Sequence, residues 1–213
     1  MNKFLLISFL AVLFFSCKKN EPITFTISGN VKDINNNNLS GTTVTLKIQE
    51  ISGGTFSQNF NILETKTTDA SGNYSFTFDK SNASGYRIEV NKANYYTQTT
   101  TINPDDLSSE VANNYNYALN SMAWLKVRLY NSNYADEVTY QMTQGAFDCG
   151  ANCCNGLPVE MNGYGFDTTF YCQNDGGHDI TCKAIWVKNG QSNTVNKTEY
   201  LTPFDTTEIE FIY

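Results

Sequence analysis

Apolar and polar residues alternate along most of the chain from residue 23 onward. Four early segments show the pattern clearly, at residues 23–27, 44–48, 74–78 and 86–90. A period of two, with Thr and aromatic residues enriched, indicates strands that bury one face, as in antiparallel sheets. Clusters of Asp, Asn, Ser and Gly between these segments predict turns. Strands at this spacing with no helical pattern between them predict a β-sandwich or a barrel.

A second series of alternating segments begins near Ala123. It covers residues 123–130, 138–142, 166–172, 180–187, 195–201 and 206–213. The pair Asn120-Ser121 before it is too short to act as a flexible linker, so one unit should run almost directly into the next. The one helical signal is Asn103-Pro104, an N-cap followed by Pro, which predicts a turn or two of helix. The predicted fold is therefore all-β, with two consecutive antiparallel β-sandwich domains.

The first sixteen residues have a different pattern. A single cation, Lys3, precedes an apolar run over residues 4–15 that is interrupted only by Ser8. A charged start, an apolar stretch of about a dozen residues and a small residue before the cleavage point predict a signal peptide over residues 1–16. No later stretch is apolar over the roughly 18 residues that a membrane-spanning helix needs.

The end of this segment resembles the lipobox of bacterial lipoproteins, in the loose form found in Bacteroidetes-type bacteria. The residues that carry the resemblance are Phe14-Phe15-Ser16-Cys17, with Phe at two positions where Leu and a small residue are usual. The resemblance implies that Cys17 becomes the lipid-bearing N-terminus and that residues 17–22 form a lipidated tether. The expected location is then the cell envelope, as an outer membrane lipoprotein on its periplasmic or surface face, with the lipid as the membrane attachment.

Composition and charge narrow the range of functions. The chain has 213 residues, with 14 Lys and Arg against 21 Asp and Glu, and a net charge of -7. This acidic balance excludes nucleic acid as a default partner, because binding to a phosphate backbone needs a basic surface. A single His excludes metal sites built from several histidines. We expect no metal site and no cofactor.

The first half of the chain resembles the carboxypeptidase regulatory-like domain. Four blocks carry the resemblance, namely Ile27-Ser28-Gly29-Asn30-Val31-Lys32-Asp33, residues 39–46, residues 68–76 and residues 86–95. The sequence departs from the family at Asn36, Asn38 and Asn94, but Asn tolerates left-handed backbone nearly as well as Gly. The resemblance implies a transthyretin-like β-sandwich with an accessory role, one that spaces or presents neighbouring domains and has no catalytic residues.

These observations give four expected segments. They are a signal peptide at 1–16, a lipidated tether at 17–22, a carboxypeptidase regulatory-like sandwich at 23–120 and a Cys-containing sandwich, Ig-like or transthyretin-like, at 121–213. All the cysteines other than Cys17 fall in the last segment.

Those five cysteines are disulfide candidates, because an exported chain meets oxidising surroundings. They are Cys149, Cys153, Cys154, Cys172 and Cys182. If residues 175–179 close a hairpin, Cys172 faces Cys182, and that pair is the first prediction. Cys149 would then pair with Cys153 or Cys154, leaving one thiol buried or bonded to another chain. A zinc site is the sharper alternative, but the spacing lacks paired Cys-x2-Cys knuckles.

Three functions remain open at this stage. The first is a non-catalytic, lipid-anchored module of the cell envelope that binds or positions a partner protein or ligand. The second is a carbohydrate-binding lipoprotein, in which Tyr rings stack on sugars; the candidates are Tyr95, Tyr96, Tyr115, Tyr117, Tyr130, Tyr134, Tyr140, Tyr164 and Tyr171. The third is a cysteine-dependent enzyme, for which the sequence offers only His178 as a partner, in what we expect to be a solvated turn. The sequence identifies no specific ligand-binding residues.

Overall fold

The computed structural model describes residues 22–53, 55–132, 137–144, 159–162 and 167–213. Its regular structure is made of strands, together with one turn of 3-10 helix at Pro104–Asp106. The strands are β1 (Thr24–Asp33), β2 (Thr43–Ser52), β3 (Thr55–Phe56), β4 (Asn61–Thr67), β5 (Asn73–Asp79), β6 (Ala83–Asn91), β7 (Gln98–Ile102), β8 (Asn113–Asn114), β9 (Tyr117–Leu119), β10 (Met122–Tyr130), β11 (Glu137–Gln144), β12 (Val159–Asn162), β13 (Asp167–Asp175), β14 (Asp179–Lys188), β15 (Gln191–Tyr200) and β16 (Thr206–Ile212). The all-β prediction is therefore confirmed.

The first nine strands form two sheets around one core. In one sheet β1 lies between β5, which is antiparallel to it, and the short parallel strands β8 and β9. In the other sheet β2 pairs with β3, β4 and β6, and β6 pairs with β7, all antiparallel. The inward positions of both sheets meet in one cluster, which includes Phe25, Ile27, Val31, Val44, Leu46, Ile48, Tyr74, Phe76, Tyr86, Ile88, Val90 and Leu119.

The remaining strands form a second sandwich with a separate core. One sheet has the order β13-β10-β16 and the other has the order β12-β11-β14-β15. β16 runs parallel to β10, and the other pairs are antiparallel. The second core includes Ala123, Leu125, Val127, Leu129, Val138, Tyr140, Cys172, Ile180, Cys182, Ala184, Leu201, Ile209, Phe211 and Tyr213. This cluster has no residue in common with the first core. The fold is thus two consecutive β-sandwiches, as the sequence predicts.

Side-chain donors on one sheet cover backbone acceptors at the edge of the facing sheet. In the first sandwich Lys66 Nζ, on β4, donates to the carbonyl oxygen of Ser75 on β5 (2.6 Å). On the opposite side Gln98 Nε2, on β7, donates to the carbonyl oxygen of Ala118 on β9 (2.6 Å). In the second sandwich Lys197 Nζ, on β15, donates to a carbonyl oxygen of β16. These bonds block sheet edges that would otherwise offer unpaired groups to another chain.

The two sandwiches meet through backbone hydrogen bonds at Asn120-Ser121. The amide of Tyr96 donates to the carbonyl of Asn120 (3.0 Å), and the amide of Met122 donates to the carbonyl of Asn94 (2.8 Å). From the other side, the amide of Gly176 donates to the carbonyl of Ser121 (2.7 Å). Bonds on both sides of the connection hold it in one conformation, as the short junction in the sequence predicts.

Side chains add to this junction. The rings of Tyr95 and Phe204 lie 5.2 Å apart, one from each sandwich. Asn120 Nδ2 donates to Asp175 Oδ2 at 3.0 Å. A Cβ built on Gly176 would lie 2.7 Å from Cα of Pro203, so only glycine allows this loop to approach so closely.

The local turn predictions are confirmed at several positions. Asn103 caps the 3-10 turn, with its side chain accepting from the amide of Asp105 (3.1 Å). Asn36 and Asn94, which replace residues usual in the family that the first half resembles, both have positive φ, at 70° and 64°. Among the residues that the structure describes, no helix is long and apolar enough to cross a membrane.

The hairpin predicted between residues 172 and 182 is wrong. β13 pairs with β10 and β14 pairs with β11 and β15, so the two strands lie in different sheets. Residues 176–178 cross from one sheet to the other, because their backbone groups bond elsewhere. The amide of Gly176 binds Ser121, and that of Gly177 donates to the carbonyl of Leu201 (2.7 Å).

Candidate binding face

The outer surface of the sheet β13-β10-β16 carries an unusual set of side chains. Burial alternates along β10, so that Ala123, Leu125, Val127 and Leu129 are fully buried. The residues between them, Trp124, Lys126, Arg128 and Tyr130, must then point to the opposite side. The strand therefore presents two aromatic rings and two cations on its outer side.

The neighbouring strands continue this surface in register. Each outward residue of β10 has an outward Cα partner on both sides: Trp124 lies between Gln173 and Thr206, Lys126 between Tyr171 and Glu208, Arg128 between Thr169 and Glu210, and Tyr130 between Asp167 and Ile212. We call these twelve positions the outer face. Tyr171 is 64% exposed and Ile212 is 56% exposed, so much of its aromatic and apolar surface is open to solvent.

The charged groups of the outer face are paired with one another. Lys126 Nζ lies 3.0 Å from Glu208 Oε1. Arg128 binds Asp167 through Nε (3.1 Å) and Nη2 (3.0 Å) and binds Glu210 through Nη1 (2.7 Å). The guanidinium of Arg128 also lies 5.0 Å from the centre of the Tyr130 ring.

These ion pairs shift the pKa values of Lys126, Arg128 and Asp167 in the direction that keeps each group ionised. The hydrogen bond from Arg128 lowers the pKa of Asp167, and the hydrogen bond to Asp167 raises the pKa of Arg128. The hydrogen bond to Glu208 raises the pKa of Lys126. Because the pairs are exposed, they contribute little to stability, and their main effect is to pair both cations of the face with carboxylates.

A second candidate is an open polar groove on the first sandwich, with a volume of about 580 Å³. It is lined mainly by residues of β1, of the turn after β1, and of the segment 116–118 that leads into β9, including Asn30, Lys32, Asp33 and Asn116. Most of these groups bond within the protein. Asn30 Nδ2 donates to the carbonyl of Ser71 (2.7 Å), and Asp33 accepts from the amide of Asn37 (2.8 Å). These bonds indicate a stabilised turn more than a ligand site.

The structure places the Tyr candidates in different surroundings. Tyr117 and Tyr140 are buried, Tyr96 is half-buried, and Tyr95 and Tyr115 pack against the first core, which leaves Tyr130 and Tyr171 on the outer face. Tyr134 and Tyr164 lie outside the described residues, as do Cys17, Cys149, Cys153 and Cys154. The sequence analysis did not identify Trp124 as a candidate binding residue. The signal that could have found it is its outward position in the alternating segment 123–130, followed by two outward cations.

Cys172 and Cys182 enter the second core from opposite sheets and are not joined. Cys182 is a free, buried thiol, whereas Cys172 is disulfide-bonded and does not titrate. The predicted pair Cys172–Cys182 is therefore wrong, because the two strands do not form a hairpin. Tyr140 Oη lies 3.2 Å from Cys182 Sγ, and burial raises the pKa of Cys182 to about 11.

Cys172 and Cys182 should need different treatments before they react with an alkylating reagent. With a pKa of about 11, about one Cys182 thiol in a thousand is ionised at pH 8. We expect Cys182 to resist iodoacetamide until guanidinium unfolds the chain, and Cys172 to react only after reduction. Non-reducing peptide mapping should join Cys172 to Cys149, Cys153 or Cys154, since Cys17 is assigned to the lipid. Rapid alkylation of native Cys182, or of Cys172 without reductant, would contradict this assignment.

His178 lies in the loop between β13 and β14 and is exposed, in agreement with the turn that the sequence predicts. Its carbonyl oxygen accepts from the amide of Leu201 (2.9 Å). Within the described ranges, no group of three or more His, Cys, Asp or Glu residues is arranged to hold a metal ion.

Comparisons with known proteins show partial similarities. Serine-aspartate repeat-containing protein D of Staphylococcus aureus is 30% identical over 190 residues, which cover 84% of this chain. The match spans only 13% of that protein's length. No family model matches the sequence.

Two solved structures are similar over most of the chain. The TIE protein of Bacillus anthracis covers 90% of this chain and 34% of its own, with 10% identity and a TM-score of 0.39. A streptococcal ancillary pilin covers 90% of this chain and 63% of its own, with 15% identity and a TM-score of 0.37.

Proposed function

We propose that this chain is a non-catalytic module of the cell envelope, anchored by a lipid on Cys17, that binds or positions a partner. The observation that carries the binding role is the outer face, where Tyr171 and Tyr130 are open to solvent beside Trp124. Exposed rings on a regular sheet do not contribute to the core, and surfaces of this kind are typical of binding sites.

The first sandwich, residues 23–120, is assigned the role of a spacer. Its resemblance to the carboxypeptidase regulatory-like domain supports an accessory role of this kind. The hydrogen bonds around Asn120-Ser121 support it as well, because they transmit the position of the first sandwich to the second. Residues 121–213 then form the unit that carries the outer face, and residues 17–22 tether both units to an outer membrane.

A cysteine-dependent enzyme is the weaker alternative. A catalytic thiol has to be largely ionised near neutral pH, which a neighbouring cation or His usually ensures. At Cys182 burial raises the pKa to about 11, and the hydrogen-bonding neighbour is Tyr140, whose own pKa burial raises. The buried thiol is better explained as part of the core.

The anchoring role is tested by replacing Cys17 with Ala in cells fed labelled palmitate. We expect the wild-type chain to incorporate label and to partition into a detergent phase, and C17A to do neither. C182A serves as the matched control and should remain labelled, since Cys182 is buried. Label in C17A equal to that in the wild type would overturn the lipoprotein assignment and leave the binding role to be judged by the experiment below.

A further inference from the structure

We propose that the outer face binds a neutral oligosaccharide, whose pyranose rings stack on Trp124 and Tyr171. This inference rests on the binding role proposed above and names the chemical class of the partner. It is supported by three observations: the placement of the rings, the pairing of the charged groups and the contrast with strands of the first sandwich.

The two rings are diagonal neighbours on adjacent strands. Trp124 is the Cα partner of Gln173, and Tyr171 is the partner of Lys126, two residues along β10. Diagonal neighbours of this kind lie about 7–8 Å apart, within reach of one or two sugar units. Both strands are hydrogen-bonded along their length, so the rings are positioned before a ligand arrives, which reduces the entropy lost on binding.

Aromatic rings suit sugars because one side of a pyranose ring exposes C–H groups and its rim carries hydroxyls. The outer face provides partners for both parts. Gln173 and Thr206 flank Trp124 in register, and the Lys126 ammonium lies beside Tyr171. An amide, a hydroxyl and an ammonium can all exchange hydrogen bonds with sugar hydroxyls at the edge of the stacking surface.

The pairing of the charges favours an uncharged ligand. Lys126 is held by Glu208, and Arg128 is held by Asp167 and Glu210. An acidic polysaccharide would have to displace these carboxylates in order to reach the cations, and it would also meet a chain whose net charge is -7. A neutral glycan meets neither obstacle, since it needs only the rings and the hydrogen-bonding groups.

The first sandwich provides a contrast, because the outward positions of β1, β2, β5 and β6 carry no aromatic rings. On β1 and β5 those positions are Thr26, Ser28, Asn30, Ser75 and Thr77. On β2 and β6 they include Thr43, Thr45, Lys47, Arg87 and Glu89. Small hydroxyl and charged residues are the usual composition of a solvated sheet face, so these four strands do not repeat the aromatic pattern of the outer face.

The experiment measures binding of the soluble mature chain to neutral polysaccharides by affinity gel electrophoresis. The probes are dextran, galactomannan, xyloglucan and a β-1,3-glucan, and polygalacturonate is the anionic control. We expect at least one neutral probe to retard the wild-type chain. W124A/Y171A should lose at least tenfold in affinity, and Y171A alone should lose part of it. Y200A is the matched control, since Tyr200 is 54% exposed on β15, and it should bind as the wild type does.

A second readout reports on Trp124 directly. The chain has two Trp residues, so W186F leaves Trp124 as the only indole. We expect the neutral glycan that retards the wild type to cause a saturable blue shift of its emission.

The proposal is overturned if no neutral probe binds, if polygalacturonate binds in preference, or if W124A/Y171A binds as tightly as the wild type. Binding of a protein in place of these glycans would also overturn it. Each of these results is distinguishable from failure of the proposed anchoring, which the C17A labelling decides separately.

Discussion

Replacing Gly29 with Ala should severely destabilise the first sandwich. A Cβ at Gly29 would lie 1.8 Å from the carbonyl oxygen of Tyr115 and 2.9 Å from the ring of Tyr74. The backbone at Tyr115 cannot move away easily, because its amide donates to the carbonyl of Ser28 (2.8 Å). The backbone at Gly29 cannot move easily either, because β1 is the central strand of its sheet. We expect the free energy of unfolding to fall by about 3 kcal/mol or more.

Calorimetry of the full chain would measure this effect as a fall of roughly 10 °C or more in the unfolding midpoint of the first sandwich. The matched control is G85A on β6, where a Cβ would have ordinary contacts, 3.6 Å from Gln49 and Phe60. This variant should change the free energy of unfolding by no more than about 0.5 kcal/mol. Equal effects of the two substitutions would contradict the close approach of β1 to residue 115.

The sequence predicted the interior of the first sandwich well, because burial on one face of a strand imposes a period of two. Ile27, Val44, Phe76 and Ile88 all lie at apolar positions of the predicted segments, and all are fully buried. Tyr95, at the end of the block 86–95, is only partly buried and packs against this core.

Strands without a buried face could not be predicted in the same way. β4 and β7 are held by backbone pairing to β2 and β6, yet most of their side chains are exposed or only partly buried. Without an apolar alternation, their sequences resemble those of polar loops. Every residue except proline has both a backbone donor and a backbone acceptor, so strand pairing of this kind does not require a particular composition.

The sequence also failed to predict which strands pair with each other in the second sandwich. The alternation in residues 166–172 and 180–187 correctly predicts two strands that bury Cys172 and Cys182. It does not determine whether the strands pair with each other or lie in opposite sheets, since both arrangements bury the same side chains. The short Gly-Gly connection favoured a hairpin, and hydrogen bonds to Ser121 and Leu201 override that local preference.

The candidate site was predicted only in part. The richness in Tyr indicated rings for stacking, but only register shows that Tyr171 lies diagonally to Trp124 on one surface. That relation joins residues far apart in the chain, and nothing in either segment alone specifies it. The charge pairs of Arg128 depend in the same way on three strands meeting.

Because the two cores share no residue, we predict that the two sandwiches are separate folding units. A chain covering residues 22–120 should therefore fold by itself. It keeps β9, whose Leu119 is fully buried in the first core and pairs with Asp33 at the end of β1. It contains no cysteine, so reductant should not affect it. Residues 121–213 should lose stability when reduced, because Cys172 is disulfide-bonded.

Calorimetry of the 22–120 chain, with and without reductant, tests this separation most directly. We predict one cooperative transition that coincides with and without reductant and that lies within a few degrees of the corresponding transition in the full chain. The small difference arises because the shorter chain cannot form the Asn120–Asp175 hydrogen bond or pack Tyr95 against Phe204. A chain that shows no cooperative transition, or that aggregates through an exposed sheet edge, would contradict the separation and indicate one larger folding unit.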